Sequence, residues 1–119
     1  MNVEIVGRHV EVTPALREFA EERIRKLERL LDESLDAHVV LAIEKHRHVA
    51  EIKLKARHAV FSGQMESDDL YTSIREVADK IERQAIRHKE KVADHRRETK
   101  LGPAAQELEE RLQQEDSNR

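Results

Sequence analysis

Apolar residues recur along this chain at two spacings, and the order in which the spacings alternate predicts a fold. Val3 and Ile5 stand two apart within Asn2 to Val6, among β-branched neighbours and with Gly7 at the end, so a first strand is expected there. Thr13 followed by Pro14 supplies an N-cap and a proline for the first helical position. From Leu16 onward, Phe19, Ala20, Ile24, Leu27, Leu30 and Leu31 fall on one arc of an amphipathic helix. Within residues 37–45, Val39, Leu41 and Ile43 share one strand face, and within 49–56, Ala50, Ile52, Leu54 and Ala56 alternate with Glu51, Lys53 and Lys55. The turn between these strands, around His46, Arg47 and His48, contains neither Gly nor Pro, so its composition does not specify a turn type. A less regular third run covers 59–65, with Gly63 as a candidate bulge. Ser67 or Asp68 is then the expected cap of a long helix, in which Leu70, Ile74, Val77, Ala78, Ile81, Ala85 and Val92 gather on one arc.

The resulting order is β-α-β-β-β-α, with one apolar face on each helix and a charged outer face on the central strands. An α+β fold satisfies this pattern: a four-stranded sheet with two helices packed on one face. The short link from Asp32 to Asp36 and the right-handedness of β-α-β crossovers put both helices on the same side. With 119 residues there is room for one core plus an appendage. Gly102 and Pro103 mark the boundary, dividing the chain into a domain of residues 1–100 and a tail of residues 101–119. Residues 104–119 hold five acids and two arginines, so the tail is acidic at −3 and residues 1–103 are neutral. Its apolar residues, Leu101, Ala105, Leu108 and Leu112, have helical spacing on a segment too short to sustain a helix alone, so it is expected to be flexible or transiently helical.

Charge changes this picture more than composition does. The net charge of −3 conceals residues 80–100, where eight Lys or Arg face four acids. Lys80, Arg83, Arg87 and Lys91 recur every three or four residues, an arrangement that can follow a phosphate backbone and that a merely solvated helix face also shows. Asp79, Glu82 and Glu90 lie mainly on another side of that helix, and Lys26 and Arg29 on the first helix extend the patch. Arg23 interrupts the apolar arc between Phe19 and Leu27. Either its aliphatic stem covers apolar surface while the guanidinium reaches water, or it reaches a phosphate beside Lys26 and Arg29. On the second account, Arg23 and Lys26 form one wall of a groove and the strip forms the other. Aromatic residues are only 3% and Tyr71 is the sole tyrosine, so no base-stacking platform is expected and recognition should rest on shape and phosphate position.

Several function classes are poorly served. The absence of cysteine removes disulfides and thiolate metal sites, and His46 and His48 lack a matching third ligand. No glycine-rich phosphate loop or serine elbow is present, so neither cofactor, metal nor catalysis is expected. No window approaches the ~20 apolar residues of a bilayer crossing, and the stretch MNVEIVGRHVEV lacks a basic leader followed by a long apolar run, so a cytoplasmic protein without a membrane partner is expected.

The segments GRHVEVTPALREFAEERIRKLERLLD, from Gly7, and ESDDLYTSIREVADKIERQAIRHKEK, from Glu66, resemble the signature segments of the bacterial ribosome hibernation promoting factor and ribosome-associated inhibitor family. The resemblance covers roughly residues 1–95 and rests on Gly7, Thr13, Leu16, Arg17, Lys26 and Leu27 with Asp69, Tyr71, Ile74, Asp79, Lys80, Arg83, Gln84 and Lys89. It implies a shape like that of double-stranded RNA-binding domains. It also implies attachment to the small ribosomal subunit and its 16S ribosomal RNA at the decoding centre, overlapping mRNA and tRNA, with inhibition of translation but no chemistry. DNA is not an expected partner. Carried over by position, the RNA contacts would be Arg23, Lys26, Lys80, Arg83, Arg87, Lys89 and Lys91, with Arg8 at a family position that is not always basic. The chain length fits the short forms. Some of these promote ribosome dimers with a separate ribosome modulation partner, and others, with an acidic extension, hold single ribosomes inactive; both modes stay open. Two other classes compete: a protein-interaction module using the charged helices and tail, and an independent double-stranded RNA-binding module.

Overall fold

In the computed structural model, which describes residues 1–99 and side chains through Ala93, six elements follow the expected order. They are β1 (Asn2–Arg8), α1 (Pro14–Leu31), β2 (Asp36–Glu44), β3 (Arg47–Lys55), β4 (Val60–Ser67) and α2 (Leu70–Thr99). The chain divides into two units, Met1–Ala85 and a second that begins at Ile86. The first carries the sheet, α1 and the first part of α2. The expected acidic tail, residues 101–119, lies outside the described residues.

The sheet order is β1-β2-β3-β4, with β1 parallel to β2 and the remaining pairs antiparallel. Alternation decides which face is buried. Ala37, Val39 and Leu41 of β2 pair with Leu54, Ile52 and Ala50 of β3, and all six are buried beneath the helices. Leu16, Ala20, Ile24 and Leu27 of α1, and Leu70, Ile74, Val77 and Ile81 of α2, close the same core. The opposite sheet face is left open.

Local chemistry fixes the ends of α1. Thr13 is extended at φ −73° and ψ 159°, and its hydroxyl oxygen accepts the Leu16 N–H at 3.2 Å, with Pro14 next to it. At the other end Asp32 adopts a left-handed φ of 54°. One turn earlier, Glu28 accepts the Leu35 N–H at 2.8 Å, tying the helix exit to the start of β2.

Four local expectations need correction. Gly7 does not end β1, which continues to Arg8; a Cβ there would collide with the Val10 carbonyl oxygen as the chain folds back through His9, whose φ is 58°. Gly63 is not a bulge, because its pairing with Ile52 is regular. It stands on the core face, where a Cβ would meet Val77 Cγ2 at 3.2 Å and Lys80 Cδ at 3.4 Å, so its missing side chain lets α2 approach the sheet closely. The cap of α2 is Asp69 rather than Ser67 or Asp68: its Oδ2 accepts both the N–H and the hydroxyl of Thr72 at 3.1 Å. Ser67 instead joins the buried Ser73, hydroxyl to hydroxyl at 2.7 Å, while the Ser73 hydroxyl donates to the His48 carbonyl at 2.6 Å. Finally, the β2-β3 turn is not centred on His46, Arg47 and His48: Arg47 and His48 already belong to β3, and the loop is Lys45-His46, in which Lys45 carries the positive φ of 56° that glycine usually supplies.

Candidate RNA-binding surface

The cations singled out in the sequence occupy three places in the first unit. Arg8 is exposed at the end of the edge strand β1. Arg23, Lys26 and Arg29 lie along α1 and, with Phe19, Glu22 and Arg25, line a shallow cavity of about 260 Å³. Lys80 and Arg83 are exposed on α2. In the second unit, Arg87, Lys89 and Lys91 are exposed on the same helix element, Arg87 and Lys91 being one turn apart in sequence.

Within the first unit the α1 cations and Lys80 do not meet as two walls of one groove. Tyr71 and Glu82 project from α2 toward α1, where Tyr71 touches the Phe19 ring and Glu82 pairs with Lys26 at 3.8 Å. Lys80 lies toward β4, next to Gly63, and Gln84 donates from Nε2 to the Ser62 carbonyl at 2.9 Å on that same flank. Lys80 and the α1 cation Lys26 therefore lie on opposite flanks of α2. The reason is helical phase: residues 80 and 84 share one side and residues 71, 78 and 82 the other. Glu82 thus stands on another side of α2 from Lys80, as its spacing predicts, and there it meets Lys26 of α1.

Ion pairing separates committed charges from available ones. Arg17 and Arg25 both pair with Glu21, at 3.8 and 3.6 Å. Arg47 binds Glu66 through Nε at 2.7 Å and Nη2 at 2.6 Å, and the hydrogen bond and negative charge of Glu66 hold its guanidinium above the ordinary range. Among the described residues, Arg23 makes no ion pair; its guanidinium instead lies over the Phe19 ring, 5.2 Å from the centroid. The Phe19 ring meets Tyr71 edge to face at 5.2 Å and 74°. Both sequence accounts of Arg23 assumed a charge reaching past apolar neighbours, and the aromatic partner was missed. The available signal was the spacing of Phe19 and Arg23, four apart on a helix.

Among the described residues no group of three or more His, Cys, Asp or Glu could hold a metal ion, and no helix is long and apolar enough to cross a membrane. Among the described residues the surface offers exposed cations on two helices, with polar and apolar neighbours.

Residues 3–93 match the family described as Sigma 54 modulation protein / S30EA ribosomal protein. The chain belongs to this family. A protein named ribosome hibernation promoting factor from Azotobacter vinelandii is 40% identical over 91 residues, covering 76% of this chain and 85% of that protein. The protein of the same name from Escherichia coli K12 is 36% identical over 95 residues, covering 80% of this chain and 100% of that one. Among solved structures, the N-terminal domain of Protein Y from Thermus thermophilus superposes with a TM-score of 0.70 at 32% identity, covering 74% of this chain and 99% of that domain. A ribosomal subunit interface protein from Coxiella burnetii gives a TM-score of 0.69 at 28% identity, covering 75% of this chain and 98% of that one. The β-α-β-β-β-α fold is therefore shared with both solved structures, one of them named a ribosomal subunit interface protein.

Proposed function

We propose that this chain is a ribosome hibernation factor: it binds the small ribosomal subunit at the decoding centre, excludes mRNA and tRNA, and holds the ribosome inactive in the cytoplasm without catalysis. The observation that carries this reading is the set of exposed cations on α1 and α2, in a chain that belongs to a family with relatives named for ribosome hibernation. Arg8, Arg23, Lys26, Arg29, Lys80, Arg83, Arg87, Lys89 and Lys91 are the proposed contacts to 16S ribosomal RNA, residues 1–100 being the ribosome-binding part. Phosphates repeat too closely for a single side chain to meet them, so the cations act together and affinity falls steeply with salt. Whether the bound ribosome is dimerised with a modulation partner or kept single depends on the acidic tail.

A second reading, as a protein-interaction module, is favoured by the open sheet face. There Val6, Val40 and Val49 stand among residues of both signs, including Glu4, Glu51 and Lys53. Sedimentation separates the two readings. With isolated subunits, the chain is expected to pellet with the small subunit, to be released by raising salt from 50 to 200 mM, and to be lost after nuclease digestion. Retention on a protein partner after digestion would instead support the interaction module.

A further inference from the structure

Arg23 is set apart from the other α1 cations by what it touches. Its guanidinium is planar, permanently charged and weakly hydrated, so it can stack on a flat partner as well as attract a phosphate. Here one partner is already in place: the half-buried Phe19 ring lies beneath it, and that ring is in turn braced by Tyr71. Arg23 is itself half-buried, so part of the freedom that binding would remove is already lost on folding. Tyr71 keeps 39% of its surface exposed, a large value for an aromatic residue that already touches another ring. Arg29, exposed two turns along α1, and Lys26, tethered to Glu82, supply positive charge next to this platform.

A row of phosphates requires charge alone, and does not require an aromatic ring under one cation and a second ring beside it. We propose that Phe19, Arg23 and Tyr71 form a stacking subsite for one unpaired RNA base, whose flanking phosphates are met by Lys26 and Arg29. The subsite rests on the RNA-binding function proposed above and adds to it a preference for single-stranded over duplex RNA, because a base inside a helix has no free face to offer.

The chain carries its own reporter, since Tyr71 is the only tyrosine and there is no tryptophan, so intrinsic emission comes from this site alone. Titration with single-stranded oligoadenylate is expected to quench Tyr71 emission, whereas a blunt RNA duplex of equal length, at equal occupancy by anisotropy of the labelled strand, leaves it unchanged. Arg23→Lys, which keeps the charge but loses the planar group, is expected to lower affinity for the single strand about tenfold, with the slope of log affinity against log salt unaltered. Absence of quenching, equal quenching by both RNAs, or an Arg23→Lys variant that binds like the parent would each overturn the subsite. Sedimentation of the parent protein with small subunits separates the two failures: if it persists, only the stacking subsite falls; if it is absent, the RNA-binding function falls with it.

Discussion

Exchanging Lys80 and Arg83 for glutamate is expected to weaken binding to small ribosomal subunits by about 60-fold at 0.1 M salt. Each phosphate interaction removed lowers the log-log salt slope by about 0.9, which corresponds to roughly eightfold in affinity at that salt, and the effects of the two residues multiply. Repulsion from the new carboxylates weakens binding further. Both side chains are exposed, and glutamate is a good helix former, so the fold should persist with an unchanged far-ultraviolet circular dichroism spectrum. The slope itself should fall by about 1.8, which distinguishes the removal of phosphate partners from general damage. Lys53→Glu with Lys55→Glu makes the same change in net charge on the open sheet face, where both residues are exposed, and is expected to leave affinity and slope nearly unchanged. If the two double variants behave alike, net charge rather than the α2 surface governs binding.

The largest effect on stability is expected from Ile74→Ala. Ile74 has no exposed surface and belongs to the core shared by α1, α2 and the sheet. Truncating a buried isoleucine to alanine costs about 2–5 kcal/mol through the forfeited transfer energy and the cavity left behind. A domain of this size has a total stability of roughly 5–15 kcal/mol, so the variant should lose a large share of it. At about 4–8 °C per kcal/mol, the melting temperature should drop by about 10 °C or more. Val60→Ala provides the contrast: Val60 is 67% exposed at the start of β4, and its truncation should change stability by less than about 0.5 kcal/mol. Thermal melts followed by circular dichroism measure both, and an Ile74→Ala melt within about 2 °C of the parent would show that α2 does not pack on the sheet as described.

Much of this architecture is legible in the pattern of residues, for reasons that are local. Thr13 and Pro14 specify the start of α1 because a hydroxyl acceptor and a missing N–H both serve orphan groups of the first turn. The alternation in β2 and β3 fixes register because a slip of one residue would turn Val39 and Leu41 of β2, or Ile52 and Leu54 of β3, to the open face. What was not legible depends on tertiary neighbours. Three consecutive polar residues, Ser67, Asp68 and Asp69, could each cap α2; Asp69 takes the position, while the Ser67 hydroxyl bonds Ser73 and the Asp69 backbone. Gly63 reads as a bulge until α2 lies over it. Lys45 gives no glycine signal because a lysine here adopts the left-handed conformation itself.

The candidate site divides in the same way. Exposure of the strip cations Lys80 and Arg83 follows from their phase relative to Ile74 and Ile81, which periodicity supplies. The partners of the α1 cations do not follow from periodicity within one helix. Glu82 meets Lys26, and Tyr71 meets Phe19, only because α1 and α2 lie side by side on the sheet. That packing turned Arg23 from an irregularity in an apolar arc into a cation seated on an aromatic ring, and it placed Lys80 on the far flank of α2 rather than across a groove from Lys26.

Occupancy of the decoding centre is the claim on which the functional account turns, and competition on isolated small subunits tests it most directly. Subunits saturated with the chain are challenged with a labelled mRNA fragment and its cognate tRNA, and the complexes are separated by sedimentation. Mutual exclusion is expected: the chain blocks mRNA and tRNA binding, and an excess of the two displaces it. Stable complexes holding the chain, the mRNA and the tRNA on one subunit would contradict it.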